Sequence, residues 1–358
     1  MRQGAGENEA TGLVELASGI DALYCSGRAD LPASFVRLLD GAKEEAQITG
    51  TEAEIVLGGG LFRVQSYGLG RYPYRMVHDY GVVGVTASDK MPALRVQPRA
   101  SFLHGVGAKA GIEWFEQVLA SEVGPILLTC SRMDLHSDWQ GWNLEGDDRT
   151  RFLCKASSRV LYEDGGEFTG FLFGKRKTKT MLARIYDKTE EIKKTGNAYW
   201  EDIWGPSYDR DQPVLRVEFE FGRQGLSEFG IQTPEEAIEA AGGLWVAATE
   251  WLSYRDPGED ETKSRWDVAS EWEAIRRSAI AETPCGMTRV YEGLRRGKFE
   301  KVVPNLTGYL VSYAAIFGFD SFEETCGELL RVVPEYCSSR DLSFEKRVRA
   351  RRRQFGLP

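Results

Sequence analysis

Short apolar runs broken by glycine and proline fill the chain up to about residue 230, and helical repeats follow. A strand is predicted over 22–25, then a helix over 31–49, where Phe35, Leu38, Leu39, Ala42 and Ala46 recur at three and four. Runs at 53–57, 61–67, 74–78 and 82–87 are β-rich and separated by Gly or Pro, as in an antiparallel meander, and 94–103 adds another. An amphipathic helix over 111–123 carries Ile112, Phe115, Val118 and Leu119 on one side. A strand over 126–138 comes next, then a hairpin from 159–162 through Glu163-Asp164-Gly165-Gly166 into 168–173. The basic turn 174–179 leads to a strand over 181–186, a charged helix over 188–194, an aromatic-rich loop over 197–212 and a last strand over 214–221. Thr233-Pro234-Glu235-Glu236 has the form of a helix start, and helices are predicted over 234–254, 270–280, 286–295, 306–317 and 321–333.

The fold class read from this order is α+β: antiparallel sheets with packed helices, then a helical C-terminal region. The expected divisions are a disordered tail over 1–14, a sheet-bearing domain over 15–225, helices over 226–345 and a basic tail over 346–358. Two strand-and-helix halves before residue 225 are compatible with an old duplication and a saddle-like shape.

Composition narrows the class. With 358 residues, 42% hydrophobic and 28% charged, the chain has enough apolar material for a core. Mean hydropathy is -0.36, and no uncharged apolar run approaches the roughly 20 residues that cross a bilayer. The polar start MRQGAGENEATG lacks a signal sequence, so a cytoplasmic location is expected. The net charge of -9 argues against holding nucleic acid by bulk electrostatics, yet Lys175-Arg176-Lys177-Thr178-Lys179 and the tail 346–353 are strongly basic. Six cysteines without a C-x-x-C pair point to reduced thiols.

Three predicted strands have charged faces. Alternation places Arg132, Asp134 and His136 opposite Met133 and Leu135, and Arg216, Glu218 and Glu220 opposite Val217 and Phe219. Arg184, Tyr186 and Lys188 share a face if the third strand runs that far. A sheet with one solvated face explains alternation alone. Acids on two strands and a tyrosine between cations on a third suggest chemistry if the strands are neighbours. Carboxylates suit a hard cation such as Mg²⁺ or Mn²⁺, with Asp134 and Glu218 the leading ligands and Glu220 and His136 in reserve. A phenol with an ordinary pKa near 10 needs a cation, a base or a metal to become a nucleophile, and Arg184 and Lys188 flank this one. The set fits phosphoryl transfer through a phosphotyrosine ester.

In order, Gly19-Ile20-Asp21-Ala22-Leu23, the Arg132-Met-Asp134 strand, the Gly174-Lys-Arg turn, Arg184-Ile-Tyr-Asp-Lys188 followed by Glu190 and Glu191, and Arg216-Val-Glu-Phe-Glu220 resemble the Rep_trans type of replication initiation factor. This family comprises initiators of rolling-circle plasmids and related relaxases of mobile elements. The likeness spans residues 15 to 225. It implies a metal-dependent enzyme that nicks one DNA strand at an origin, stays attached to the 5′ end through tyrosine and leaves a 3′ hydroxyl. Tyr186 matches the family's nucleophile, and Asp134 and Glu218 match its acidic positions. On that reading Arg184 and Lys188 hold phosphate, while Arg132, Lys175, Arg176, Lys177, Lys179 and Arg216 contact DNA at the origin, as single strand or hairpin. A helicase, the host polymerase and a homodimer are compatible partners, and a membrane is not implied.

The three histidines, His78, His104 and His136, lack the His-hydrophobe-His motif of other rolling-circle endonucleases, which suits the acidic-ligand branch. Tyr309 and Tyr313 lie four apart on a predicted helix, but their apolar neighbours favour a core role. Gly58-Gly59-Gly60 reads as a hairpin turn. Trp139, Trp142, Tyr199, Trp200 and Trp204 read as packing rather than base-stacking residues. Two rival functions stay open: a DNA-binding regulator without chemistry, and a metal-dependent hydrolase that forms no covalent intermediate.

Overall fold

The computed structural model describes residues 12–175, 180–282, 306–307, 309–339, 343–346 and 348–349. Residues 1–11 of the expected tail, Arg176, Lys177 and Lys179, the helix expected over 286–295 and most of the C-terminal basic tail lie outside the described residues. The chain divides into two compact units, Met1–Val290 and Tyr291–Pro358.

The first unit is built on one antiparallel sheet of eleven strands. Its members are β1 (Val14–Arg28), β2 (Ala53–Leu57), β3 (Gly60–Val64), β4 (Tyr74–His78), β5 (Gly81–Val85), β6 (Leu94–Pro98), β7 (Leu127–Gln140), β9 (Arg159–Asp164), β10 (Glu167–Phe173), β11 (Met181–Asp187) and β12 (Leu215–Gly222). Their spatial order is β2-β3-β4-β5-β6-β1-β7-β12-β11-β10-β9. The two long strands β1 and β7 therefore form the middle. From each the chain travels to an outer edge and meanders back, so the sheet consists of two similarly wound halves, of six and of five strands. A separate ribbon pairs β8 (Phe152–Cys154) with β13 (Leu252–Tyr254).

Most of the helices pack on one face of the sheet. In α1 (Ala33–Thr49) four residues of the predicted stripe, Phe35, Leu39, Ala42 and Ala46, are buried and join Ile55, Leu57, Phe62 and Val64 in the core, whereas the fifth, Leu38, is 43% exposed. Helix α3 (Ala108–Val123) adds Ile112, Phe115, Val118 and Leu119. The short α2 (Ala100–Val106) follows Pro98, which ends β6 where the sequence suggested a strand continuing to 103. In the second half α4 (Lys188–Thr195) and α5 (Tyr199–Trp204) lie next to β12 and β1. The expected helix over 234–254 is three elements, α6 (Arg223–Glu228) being followed by α7 (Pro234–Glu239), α8 (Ala241–Trp251) and β13. Helix α9 (Ser270–Arg276) packs on α8.

Strand β1 is fifteen residues long, against four expected. Its period is disguised by two bulges against β7, at Leu16 between Glu15 and Ala17 and at Asp21 between Ile20 and Ala22, while a third shift, between Tyr24 and Cys25, has its extra residue, Ser131, on β7. At the second of these Asp21 has no opposite residue, so Ile20 turns to the core and both Asp21 and Ala22 turn to the other face. In the second unit, residues 309–317 and Phe322–Ser339 are helical. Tyr309 is 71% exposed there, which overturns the core role read from its neighbours. No helix among the described residues is long and apolar enough to cross a membrane.

Candidate active site on the charged face of the sheet

The three charged faces meet. Strands β7, β12 and β11 are neighbours, with cross-strand rows Asp138–Arg216–Tyr186, His136–Glu218–Arg184 and Asp134–Glu220–Leu182. Because opposed residues share a face, Tyr186, Arg184, Glu218, Glu220, Asp134 and His136 all point away from the helix-covered core.

On one side of Tyr186 three acids surround two guanidinium groups. Arg132 donates from Nε to Asp134 Oδ1 at 2.7 Å, also bonds Asp134 Oδ2, and lies 2.9 Å from Glu220 Oε2. Arg184 bonds Glu218 and lies 3.6 Å from Asp134 Oδ2 and 3.8 Å from Glu220 Oε2. Burial, with the like charges of Glu218 and Glu220 working against the pull of Arg132, pushes the Asp134 carboxyl up to about 8. The acids expected as metal ligands are thus brought together, but their oxygens are turned to arginines. The Nε of Arg184 is buried without a partner.

Tyr186 donates its hydroxyl to Glu218 Oε2 at 3.1 Å. Burial and the Glu218 charge raise the phenol well above its ordinary value, so at rest it keeps its proton. Strand β10 passes close beside it through Gly170, where a Cβ would lie 2.5 Å from Ile185 O and 2.8 Å from Tyr186 Cβ. Gly170→Ala should therefore shift Tyr186 and cost roughly 1–3 kcal/mol of stability. A urea midpoint unchanged from wild type would contradict this.

A second cluster lies across β7, toward β1. Asp21 from the β1 bulge, His104 from α2 and His136 from β7 have ligand atoms all within 4.8 Å of one another, the only such group of three among the described residues. Asp138 accepts from His136 Nδ1 at 3.3 Å, which leaves Nε2 as the ring's lone pair, and that atom is buried without a hydrogen-bond partner. Both ring nitrogens of His104 also lack hydrogen-bond partners, with Nε2 3.5 Å from Asp21 Oδ1. Burial and Arg216 lower His136 to about 4, so the ring is neutral at physiological pH. Three converging lone-pair donors, two of them orphaned, fit a divalent cation. Imidazole nitrogens favour Mn²⁺ or another transition metal over Mg²⁺, which prefers oxygen. Mn²⁺ at one hundred times its dissociation constant should stabilise the protein by about 2.7 kcal/mol. His104→Ala should lose that gain, and a variant retaining it in a thermal-shift titration would remove His104 from the set.

Behind this cluster stands a buried ion pair. Arg216 donates to Asp138 from Nε at 2.6 Å and Nη2 at 2.8 Å, reaches Asp21 Oδ1 at 3.2 Å, and lies 3.9 Å from the Trp200 ring centroid. Trp204 Nε1 donates to Asp138 Oδ2 at 2.7 Å. Arg216, expected at DNA, is fully buried and committed to carboxylates. Lys188 is buried too, 2.5 Å from Glu191 Oε2 and 5.9 Å from the Tyr186 ring centroid. Asp187 of the Arg-Ile-Tyr-Asp-Lys motif caps α4 by accepting from Glu190 N at 3.0 Å. Lys175 is exposed, and Trp139, Trp142, Trp200 and Trp204 are buried, in keeping with their packing role.

Asp21, His104 and Asp138 had no role assigned from sequence. Asp21 stood inside a quoted motif, and alternation along the β7 run places Asp138 with Asp134 and His136. Nothing in the pattern marks His104.

No family model matches the sequence, and no curated protein matches it. Among solved structures the chain is similar to "Structure of Rolling Circle Replication Initiator Protein from Geobacillus stearothermophilus", at 15% identity and a TM-score of 0.44, over 76% of this chain and 98% of that one.

Proposed function

We propose that this protein is a metal-dependent DNA nicking and rejoining enzyme acting at an origin of replication or transfer, with its catalytic residues within 15–225. The observation that carries the reading is the Tyr186 hydroxyl, bonded at 3.1 Å to Glu218 on the adjoining strand, whose cross-strand neighbours are Arg184 on one side and, on the other, His136 of the donor cluster fit for a cation. The motif order set out above supplies the substrate class.

Glu218 is placed to take the phenolic proton as the oxygen attacks phosphorus. The Tyr186 O–P bond forms, the bond from phosphorus to the 3′ oxygen breaks, and that oxygen takes a proton from solvent to leave as a hydroxyl, the phenolic proton staying on Glu218. Arg184, whose Nε has no partner, is placed to hold a non-bridging phosphate oxygen. Arg132 holds Asp134 and Glu220 and so fixes the acidic wall behind Arg184. A cation held by Asp21, His104 and His136 would supply charge stabilisation to the phosphate and favour the phenolate. Rejoining is the same exchange in reverse, with a 3′ hydroxyl attacking the phosphotyrosine ester.

The test is incubation with supercoiled DNA of the protein's own element and Mn²⁺, then denaturing electrophoresis and peptide mapping. A DNA-linked peptide containing Tyr186 is expected. Cleaved DNA that separates freely from protein would favour the hydrolase instead.

A further inference from the structure

Beyond β1, the open face of the first half carries cations that the catalytic reading leaves unused. Arg75 on β4, Gly84 on β5, Arg95 on β6 and Ser26 on β1 form one cross-strand row. Ser26 lies two residues from Tyr24, the partner of Arg132, so this row shares the face of the acidic wall. Aromatic rings separate the guanidinium groups. Arg132 lies 5.2 Å from the Tyr24 ring centroid, and Tyr24 feels the charge of both Arg132 and Arg95. The Tyr72 ring covers Gly84, where a Cβ would come within 2.9 Å of it. Arg75 lies 5.1 Å from the ring centroid of Tyr67, which is 55% exposed. The order across five neighbouring strands is therefore Arg132, Tyr24, Arg95, Tyr72, Arg75, Tyr67.

These inner arginines differ from the one on the strand next to the edge. Arg63 on β3 is matched by Asp79 at 2.8 Å and Glu52 at 3.2 Å. Among the described residues no carboxylate pairs with Arg75 or Arg95. Arg95 is met by the Gln97 side-chain oxygen at 3.0 and 3.1 Å, and the Nε of Arg75 is buried without a partner.

We propose that this alternating row is the track for single-stranded DNA next to the scissile phosphate, a reading that rests on the nicking function above. Arginines would take phosphates, and the exposed ring of Tyr67 would stack on a base, while the buried Tyr72 ring spaces the guanidinium groups. Four steps between strands at about 4.8 Å give a path about 19 Å long that begins at the acidic wall. A duplex hides its base faces, and a flat sheet cannot enter its major groove. The flexible single strand is the polyanion that fits recessed guanidinium groups between rings. Because the chain is acidic overall, at -9, such a contact has to be local.

The experiment is fluorescence anisotropy of the full chain with a short, mixed-sequence single-stranded DNA labelled with fluorescein, across a salt series. The Arg75→Ala/Arg95→Ala variant should bind about tenfold or more weakly. Its log–log salt slope should be shallower by about 1.4, since each single-strand phosphate contact contributes about 0.7. Tyr67→Ala, at an exposed ring that the fold does not need, should weaken binding about fivefold or more without changing the slope. Wild-type affinity and slope in both variants would overturn the track while leaving the nicking reading intact. Equal losses on a duplex or on RNA of the same sequence would overturn the choice of ligand. A wild-type chain that neither binds the strand nor forms the tyrosine adduct would remove both readings together.

Discussion

Tyr186→Phe is expected to eliminate the covalent DNA adduct, lowering nicking by at least about a thousandfold, while DNA affinity stays within about twofold of wild type. The change is nearly isosteric. It keeps the ring beneath Lys188, 5.9 Å from the ammonium, and removes one hydroxyl whose hydrogen-bond partner is Glu218. Glu218 still has Arg184 beside it, so the stability loss should be about 0.5–1.5 kcal/mol, that of one hydrogen bond. The outcome separates the three functional classes. A nicking enzyme loses its chemistry and keeps its ligand, a pure DNA-binding regulator is indifferent to the change, and a hydrolase keeps cutting because water is its nucleophile. Adduct formation by the phenylalanine variant would remove Tyr186 from the reaction.

The strands that build this site were readable because each is a clean alternation bounded by turns. The 126–138 run overlaps β7, 214–221 is one residue out of step with β12, and 181–186 stops one residue short of β11. Their adjacency was not readable: that β7, β12 and β11 lie side by side is a matter of long-range pairing, on which alternation is silent. Asp21 illustrates a second limit. A bulge turns two successive residues to one face, so a period-two reading of β1 loses its phase there. Arg216 illustrates a third. Its face was correctly placed with Glu218 and Glu220, but a strand pattern cannot say what roofs that face, and α5 with Trp200 and Trp204 does so. His104 sits one residue past the strand expected over 94–103, on a two-turn helix that replaces the end of that strand, and only tertiary structure brings it to Asp21 and His136.

The same roof makes Asp138 the residue whose loss should be felt most widely. Four groups converge on its carboxylate: two nitrogens of Arg216, Trp204 Nε1 and His136 Nδ1. Although burial works to raise it, the neighbouring Arg216 charge holds this carboxyl far below its ordinary range, so it is an anion at any pH near neutrality. Asp138→Asn keeps the shape and removes the charge, leaving the buried Arg216 with Asp21 as its remaining counter-ion. Breaking a buried pair from one side costs about 3–5 kcal/mol, and urea unfolding should show a loss of that order. The amide also loses its grip on His136, since it can present a donor where the ring needs an acceptor. Without that restraint the imidazole can carry its proton on Nε2, and the lone pair aimed at Asp21 and His104 disappears for that fraction of molecules. Mn²⁺ affinity, measured by isothermal titration well below the unfolding midpoint, should fall by about 10- to 100-fold. A variant that is merely less stable but binds Mn²⁺ like wild type would make Asp138 a packing anion and nothing more.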